Sequence, residues 1–318
     1  MKLRIGSRGS QLAVWQANHI AGLLRGEGHS VEIEIIKTTG DRLQEVTFAE
    51  VGSKGMFTKE IEEALASGRV DLAVHSLKDL PTELPEPFAL AATPKRVDPR
   101  DAFVSVKYGS LAELPQGARV GTSSERRRAQ LKALRPDIEA VEFRGNVDTR
   151  LRKLAEGQVD GILLAAAGLE RLNKTEWVRE RMEPRDFCPA AGQGALGIET
   201  RKDDGATIAA IQFLDDAGTR FAVTAERAAL AALGGGCQVP IGILCRAVSG
   251  AESGAGPGLY VEIIGIVADP QTGNAVRVIH RELLGDIDPV ELGRMAAQKL
   301  IEAGAGPLLE AAGGEVSR

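Results

Sequence analysis

A short internal repeat constrains the fold of this chain more than any other feature of its sequence. Residues 66–72 (Ala-Ser-Gly-Arg-Val-Asp-Leu) resemble residues 155–161 (Ala-Glu-Gly-Gln-Val-Asp-Gly), and each copy has the pattern of a helix end, a glycine cap and a strand. Residues 4–7 and 119–122 also match, since each places a short strand before a polar loop and a helix. The repeat predicts two similar α/β lobes with mostly parallel sheets, which bind ligands at the carboxyl ends of their strands.

Two segments rich in proline or glycine, residues 93–99 and 184–194, are predicted to connect the lobes, so that the first lobe is discontinuous. After about residue 216 a helix is followed by alternating strands, which indicates a small α+β domain. The predicted fold is therefore two periplasmic-binding-protein-like lobes with hinge crossings, plus this C-terminal domain. The predicted bounds are residues 1–96 with 195–215, residues 97–194, and residues 216–318.

The charge of the chain gives it no general attraction for polyanions. The formal net charge is −5, and only 4% of the residues are aromatic, which disfavours an RNA-binding surface built on base stacking. An anionic ligand must therefore be held by a local cluster of positive charge. The first residues lack the apolar segment of a signal peptide, and no stretch has the length of a membrane span, so a cytoplasmic protein is expected.

Arginines cluster after the strands of the predicted second lobe. Residues 121–128 follow a strand and open a helix, where free backbone N–H groups and the helix dipole favour an anion. A single arginine at a helix end is more often a solvated charge, but repeated placement at strand ends favours a binding site. Guanidinium groups pair well with carboxylates, so a polycarboxylate ligand is expected. The other arginines that follow predicted strands of this lobe are Arg144, Arg150 and Arg171. The first lobe adds Arg8 and Ser10 to the predicted binding site.

A lysine–aspartate pair follows a strand of the first lobe, in residues 75–79 (His-Ser-Leu-Lys-Asp). Asp79 is expected to face a ligand there, although an aspartate in this position could instead cap the following turn. His75 on its own is more often a core residue than a catalytic one. Residues 192–197 match the G-x-G-x-x-G dinucleotide pattern, but they follow a proline-containing loop and lead into a strand, so no nicotinamide cofactor is expected.

The three cysteines, Cys188, Cys237 and Cys245, cannot all pair, and none lies in a C-x-x-C motif. Neither a disulfide scaffold nor a metal site is therefore expected. Cys237 follows three glycines, and a thiol on such a flexible loop can reach a ligand site. Cys188 and Cys245 are predicted to be buried structural residues.

Together these motifs resemble the hydroxymethylbilane synthase family, also called the porphobilinogen deaminase family, over nearly the whole chain. One departure is Glu125, which stands where an apolar residue is expected before the arginine pair. The segments that carry the resemblance are residues 4–8, 54–57, 75–79, 121–124, 144–147, 191–195 and 236–240.

The resemblance implies a transferase that condenses four porphobilinogen molecules, with loss of ammonia, into the linear tetrapyrrole hydroxymethylbilane. It implies that Cys237 carries a dipyrromethane cofactor through a thioether, and that Asp79 is catalytic, binding pyrrole N–H groups and assisting proton transfer. It also implies a monomer that binds porphobilinogen and the growing polypyrrole, but neither nucleic acid nor membrane. The other implied cofactor-binding residues are Lys78, Asp79, Thr122, Ser124, Arg126, Arg127, Arg144 and Gly145. The implied substrate-binding residues are Arg8, Ser10, Lys54, Arg150 and Arg171.

Two other functions fit parts of the pattern. Duplicated lobes joined by hinges are also the design of solute-binding proteins, so an anion-binding module without chemistry is one alternative, which the missing signal peptide disfavours. An RNA-binding protein that uses Arg126 to Arg128 is the other, which the net charge and the few aromatic residues disfavour. An intact protein mass equal to that of the bare chain would favour the binding module.

Overall fold

The computed structural model describes residues 1–39, 58–235, 239–253, 258–285 and 287–311. The chain separates into two compact units. The first comprises Met1–Asp98, Glu170–Lys174 and Gly194–Arg220, and the second comprises Pro99–Leu169, Thr175–Gln193 and Phe221–Arg318. The boundaries after Asp98 and before Gly194 lie within the two segments that the sequence predicts as connections. The division into three domains stays a prediction, because the C-terminal residues group with the second lobe.

Strands and helices alternate through most of the described chain. The strands are β1 (Lys2–Ser7), β2 (Ser30–Ile35), β3 (Leu72–Ser76), β4 (Phe88–Ala92), β5 (Asp101–Val104), β6 (Arg119–Gly121), β7 (Glu139–Val141), β8 (Gly161–Ala165), β9 (Val178–Arg181), β10 (Leu196–Arg201), β11 (Ile241–Ser249), β12 (Leu259–Ala268) and β13 (Ala275–Leu283). The α-helices are α1 (Gln11–Gly26), α2 (Lys59–Ala66), α3 (Glu125–Leu134), α4 (Val147–Ala155), α5 (Ala166–Arg171), α6 (Gly205–Ile211), α7 (Ala217–Ala232), α8 (Gly250–Ser253), α9 (Pro289–Leu300) and α10 (Gly306–Ala311). Short 3-10 turns span Leu77–Asp79, Thr175–Trp177 and Gln212–Leu214, and a π-helical turn spans Ile301–Ala305.

The first unit contains a five-stranded sheet in the order β2-β1-β3-β10-β4. β1 pairs in parallel with β2 and β3, whereas β10 runs antiparallel to β3 and β4. Helix α1 begins after Ser10, whose hydroxyl accepts a hydrogen bond from the Ala13 N–H as an N-cap. The buried face of α1 packs against Leu3 and Ile5 of β1, so a hydrophobic core lies between this helix and the sheet.

The second unit repeats this arrangement in a sheet of order β7-β6-β8-β5-β9. β6 pairs in parallel with β7 and β8, and β5 runs antiparallel to β8 and β9. The glycine caps that the repeat predicts are present after α2 and α4, where Gly68 and Gly157 have φ angles of 68° and 78°. The prediction of two similar α/β lobes is therefore confirmed.

The prediction of mostly parallel sheets is wrong for half of the pairings, because β5 and β10 each run antiparallel to both neighbours. A parallel neighbour requires a long crossover connection, usually a helix. β5 and β10 follow directly after the connecting segments 93–99 and 184–194, without a crossover helix. Each lobe therefore has three parallel strands, which form the edge where ligand binding is expected.

The C-terminal part of the second unit is an antiparallel sheet of β11, β12 and β13. Helices α7 and α9 cover one face of this sheet, and Gly293 lets them approach closely because a Cβ there would overlap the Ala225 carbonyl. On the other face, Ile264 of β12 packs with Cys188 and with Ala129 of α3. Within the described residues, no helix is both long and apolar enough to cross a membrane.

Candidate active site

An open pocket in the first unit lies at the carboxyl ends of β1 and β3, where the repeat predicts ligand binding. Three residues that the sequence predicts for the site, Arg8, Ser10 and Asp79, meet in this pocket. The lining residues are Arg8, Ser10, Leu12, Ala13, Gln16, Thr58, Val74, His75, Ser76 and Asp79.

Asp79 stands in the 3-10 turn that directly follows β3. Its side chain is exposed, and its carboxylate forms no hydrogen bond or ion pair with any residue in the described part of the chain. The turn is closed instead by the Leu80 N–H, which donates to the Leu77 carbonyl. Asp79 is therefore not a turn cap, and both of its oxygens can accept hydrogen bonds from a ligand. The neighbouring Lys78 is half-buried.

Polar contacts fix one wall of this pocket. Gln16 of α1 is buried, and its Nε2 donates to the Ser76 hydroxyl at 2.7 Å. Ser10 Oγ accepts from the Ala13 N–H at 3.3 Å, which leaves the hydroxyl proton of Ser10 able to donate to a ligand. Ser10 therefore caps the helix and can also bind a ligand.

A buried histidine–glutamate pair adjoins the pocket. His75 Nε2 lies 2.9 Å from Glu199 Oε2 of β10, and the two side chains are 7% and 0% exposed. Glu62 of α2 lies near this pair, and burial, with added repulsion from Glu199, raises the pKa of Glu62. Reasoning from sequence expects His75 in the core, which is where it lies, but misses Glu199. The only signal for Glu199 is a glutamate placed inside an apolar strand.

In the second unit, the equivalent edge at the carboxyl ends of the parallel strands includes the start of α3. Ser124 Oγ accepts from the Arg127 N–H at 3.5 Å, and Thr122 Oγ1 accepts from the Ser124 N–H at 3.2 Å. These two predicted site residues thus shape the turn before the helix. Glu125, which departs from the expected apolar residue, lies 3.4 Å from Arg128.

Arg126 and Arg127 are buried and share one carboxylate, that of Asp101 on β5. Arg126 Nη1 donates to Asp101 Oδ2 at 2.7 Å, and Arg127 donates from Nε and Nη2 to Oδ1 at 2.9 and 2.7 Å. Burial by itself raises the pKa of Asp101, but the two guanidinium groups outweigh it and hold this pKa well below its usual range. Because two cations meet one anion, the group carries a net positive charge.

Arg126 keeps hydrogen-bond donors for a ligand. Its Nη1 also donates to the Cys188 carbonyl at 2.6 Å, while Nε and Nη2 have no partner among the residues that the structure describes. Gln130 holds the same Cys188 segment by donating to its carbonyl at 2.8 Å and accepting from its N–H at 2.6 Å. One side of the Arg126 guanidinium is therefore fixed, and the other can bind an anion.

The loop before β10 supports Asp101. Gln193 Nε2 donates to Asp101 Oδ1 at 3.0 Å. Glu226, fully buried on α7, accepts from the Gly192 N–H at 2.7 Å and from the Cys245 N–H at 2.8 Å. Reasoning from sequence misses Asp101 and Glu226, because both are far along the chain from the groups they bind. Their only sequence signal is an acidic residue among apolar ones.

Arg150, in the first turns of α4, is close to the buried pair. Its Nη2 lies 3.4 Å from the Ser123 hydroxyl. Burial, together with repulsion from Arg127, lowers the pKa of Arg150 to about 10. A guanidinium under this repulsion gains stability from an added anion, which favours carboxylate binding here.

Arg144 lies in the loop between β7 and α4. Its Nε donates to Glu142 Oε1 at 2.6 Å, and the guanidinium is partly exposed. Gly145 has a φ of 124°, and a Cβ added there would lie 2.7 Å from Thr149 Cγ2. The loop backbone therefore requires glycine at this position, whether or not a ligand is bound.

Arg171 belongs to a different unit from the other arginines of the predicted second lobe. It ends α5, which follows β8 as the sequence predicts, but residues 170–174 group with the first unit. Its Nη2 donates to the Gly194 carbonyl at 2.8 Å, and burial lowers the pKa of Arg171 to about 10. Arg171 therefore contributes its charge to the first unit.

Two predicted site residues, Lys54 and Cys237, lie outside the described residues. Cys188 and Cys245 are buried, as predicted, and burial raises the pKa of the Cys188 thiol. No cluster of side chains suited to a metal ion is present in the part of the chain that the structure describes.

Two protein-family models match this chain. The family model "Porphobilinogen deaminase, dipyromethane cofactor binding domain" matches residues 3–209, and "Porphobilinogen deaminase, C-terminal domain" matches residues 220–302. The porphobilinogen deaminase of Trichlorobacter lovleyi is 49% identical over 97% of this chain and 96% of its own length. That of Brevibacillus brevis is 46% identical, with the same shares covered.

Solved structures show a more distant likeness. The methionine-binding protein MetQ covers 69% of this chain and 92% of its own, at 14% identity and a TM-score of 0.44. A nutrient-binding protein from Burkholderia cenocepacia bound to methionine covers 66% and 90%, at 17% identity and a TM-score of 0.41.

Proposed function

The chain belongs to the porphobilinogen deaminase family, and on this basis we propose that Asp79 is its catalytic carboxylate and that Cys237 carries its cofactor. The activity is that of a hydroxymethylbilane synthase, a transferase that condenses four porphobilinogen molecules into a linear tetrapyrrole and releases ammonia. The cofactor is a dipyrromethane, which when bound supplies the free pyrrole carbon to which each new unit is joined. This membership favours a catalyst over an anion-binding module or an RNA-binding protein.

The arginine cluster of the second unit fits such a group. Each pyrrole ring carries an acetate and a propionate, so the ligand presents several carboxylates. Arg126 offers Nε and Nη2 donors that no described residue uses, and Arg150 is a partly buried cation under repulsion from Arg127. Arg126, Arg127 and Arg150 would hold carboxylates of the bound pyrroles, and Arg144 would add a more exposed contact.

The first unit supplies the groups for the condensation itself. Asp79 would accept hydrogen bonds from pyrrole N–H groups, and its charge would stabilise the positive charge that develops on porphobilinogen as ammonia departs. Arg8 and the hydroxyl of Ser10 line the same pocket and would bind carboxylates of the incoming substrate. The observation that carries this role is the exposed carboxylate of Asp79 at the end of β3, which no described residue pairs with.

The proposed cofactor site is completed by Lys78, Gly145, Thr122 and Ser124. The proposed substrate-binding residues also include Lys54 and Arg171. Thr122 and Ser124 have hydroxyl protons that can donate while their oxygens cap the turn before α3. The contribution of Gly145 is its backbone conformation, which no side chain tolerates.

Intact-mass spectrometry tests the attachment of the cofactor. Wild-type protein should be heavier than the bare chain by one dipyrromethane and should react with Ehrlich's reagent, whereas Cys237→Ser should have the bare mass and make no tetrapyrrole. Cys245→Ala, at a buried cysteine, is the matched control and should keep the added mass. If a Cys188 or Cys245 variant loses the added mass while Cys237→Ser retains it, the assignment of Cys237 is wrong.

We also propose that the protein is a cytoplasmic monomer that binds neither nucleic acid nor membrane. Light scattering coupled to gel filtration tests the monomer, and cell fractionation tests the location. A mass of twice the chain across a range of protein concentrations would contradict the monomer.

A further inference from the structure

His75 has one ring nitrogen engaged and the other available. Nε2 is bonded to Glu199 Oε2 at 2.9 Å, while Nδ1 has no hydrogen-bond partner among the described residues. Nδ1 is not fully buried. The His75 ring lines the pocket that contains Asp79. The free nitrogen therefore borders the space in which the proposed condensation takes place.

Glu199 determines which nitrogen is free. Its side chain is fully buried, Oε2 contacts His75, and Oε1 has no hydrogen-bond partner within the described chain. An ionised carboxylate in this position accepts a hydrogen bond from Nε2–H, so a neutral ring carries its proton on Nε2 and presents Nδ1 as an acceptor. This is the arrangement by which a carboxylate orients an imidazole base.

The surroundings keep the pair responsive to protons. Glu62 on α2, whose pKa burial raises, repels Glu199 and attracts a protonated His75. Asp79 and Arg8 are the other ionisable groups that line the pocket. Glu62 and Glu199 are thus the two carboxylates nearest to the His75 ring among these groups.

We propose that His75 accepts the proton that Asp79 takes up, and that Glu199 positions the His75 ring. This inference rests on the proposed role of Asp79 in the condensation. It goes beyond that role, because Asp79 needs a group to which it can pass the proton before the next substrate arrives.

The proton and electron balance of each addition is closed. The C–N bond of porphobilinogen, whose aminomethyl group enters as ammonium, breaks and its electron pair leaves with nitrogen as ammonia. A new C–C bond forms between the resulting cationic carbon and a pyrrole α carbon. The C–H bond at that carbon then breaks, its electron pair returns to the ring, and Asp79 takes the proton. Asp79 and His75 Nδ1 are not hydrogen-bonded to each other, so the proton passes between them through a water in the pocket, and ammonia finally removes it as ammonium. No oxidant or reductant is required.

Kinetics of cofactor-loaded variants test the proposal. His75→Gln should lower kcat by about 10²-fold with little change in KM, and should change the shape of the pH profile of kcat. Glu199→Gln should act in the same direction, and the double variant should be no slower than His75→Gln alone, because the two residues act as one unit. His280→Gln is the matched control, since it breaks a histidine–glutamate pair of 2.8 Å in the C-terminal sheet and should leave kcat unchanged.

A second measurement uses the protein without turnover. The chain has four histidines, so ¹⁵N-labelled imidazole spectra can be assigned with His75→Gln, and the wild-type ring of His75 should carry its proton on Nε2. Glu199→Gln should change this tautomer or mix the two forms. These spectra decide the question even if the loaded variants are too unstable for kinetics.

The possible results separate this inference from the function on which it rests. A wild-type protein without dipyrromethane or tetrapyrrole product would contradict the proposed function itself. A loaded, normally melting His75→Gln protein with wild-type kcat and pH profile would overturn the role of His75 alone. A His75 ring protonated on Nδ1, or additive losses in the double variant, would also overturn it.

Discussion

Replacing Asp101 with asparagine should strongly destabilise the second unit. The substitution keeps the size of the side chain but removes the only counter-charge that the described residues supply to Arg126 and Arg127 within hydrogen-bond distance. All three side chains are almost fully buried, so water cannot replace the carboxylate. The amide nitrogen would also face a guanidinium donor in place of an acceptor.

The expected loss of stability follows from this burial. Removing one partner of a buried ion pair costs about 3–5 kcal/mol, and here two cations lose the same partner. For a protein of this size we expect the melting temperature to fall by roughly 10 °C, measured by calorimetry. Asp137→Asn is the matched control, because Asp137 pairs with Arg135 at a partly exposed position, where water can replace the lost partner.

The pH dependence gives a second measurement. Because the folded-state pKa of Asp101 is depressed, its stabilisation is present above the unfolded-state value of about 3.9 and is lost only as pH falls through the lower folded-state value. The difference in stability between wild type and Asp101→Asn should therefore stay constant from pH 8 to about pH 4 and shrink only below it. A difference that closes between pH 6 and 5, or a variant that melts with the wild type, would refute the reasoning.

Three further changes test the site. Asp79→Asn should lower single-turnover rates by about 10²–10³ without loss of melting temperature, and Asp79→Glu should retain more activity; wild-type rates in the loaded asparagine variant would remove Asp79 from catalysis. Arg126→Leu should abolish dipyrromethane loading in the intact-mass spectrum, whereas Arg128→Leu, whose partly exposed guanidinium pairs with Glu125 and Glu142, should load normally. Gly145→Ala should cost about 1–3 kcal/mol because its φ of 124° suits only glycine, and an unchanged melting temperature would show that the loop has another conformation.

The parts of the fold that depend on local sequence follow from the sequence alone. The helix–glycine–strand repeat predicts two lobes, and the capping residues Ser10 and Ser124 lie where polar residues precede helices. The direction of β5 and β10 does not follow, because it depends on how the chain enters a sheet from a connecting segment rather than on any local pattern. Antiparallel and parallel buried strands have similar short apolar sequences.

The candidate site divides in the same way. Residues that follow a strand, such as Asp79, Arg126 and Arg150, are recognisable because the strand ends predict where they lie. Their partners are not recognisable, since Asp101 meets Arg126 only in three dimensions and Glu199 stands 124 residues from His75. A buried acidic residue in an apolar strand is a signal for such a partner, but it does not say which cation it meets.

The duplication of the lobe explains how one chain can keep both a reactive carboxylate and a cluster of arginines. An aspartate placed among Arg126, Arg127 and Arg150 would be neutralised by ion pairing, as Asp101 is, and could not then stabilise a new positive charge. In this chain the corresponding edges of two related sheets differ in their charged groups. Among the described residues, the first has the carboxylate of Asp79 without an ion-pair partner, and the second has Arg126 with unused donors. The separation of these groups onto two units therefore preserves the charge that each needs for its own task.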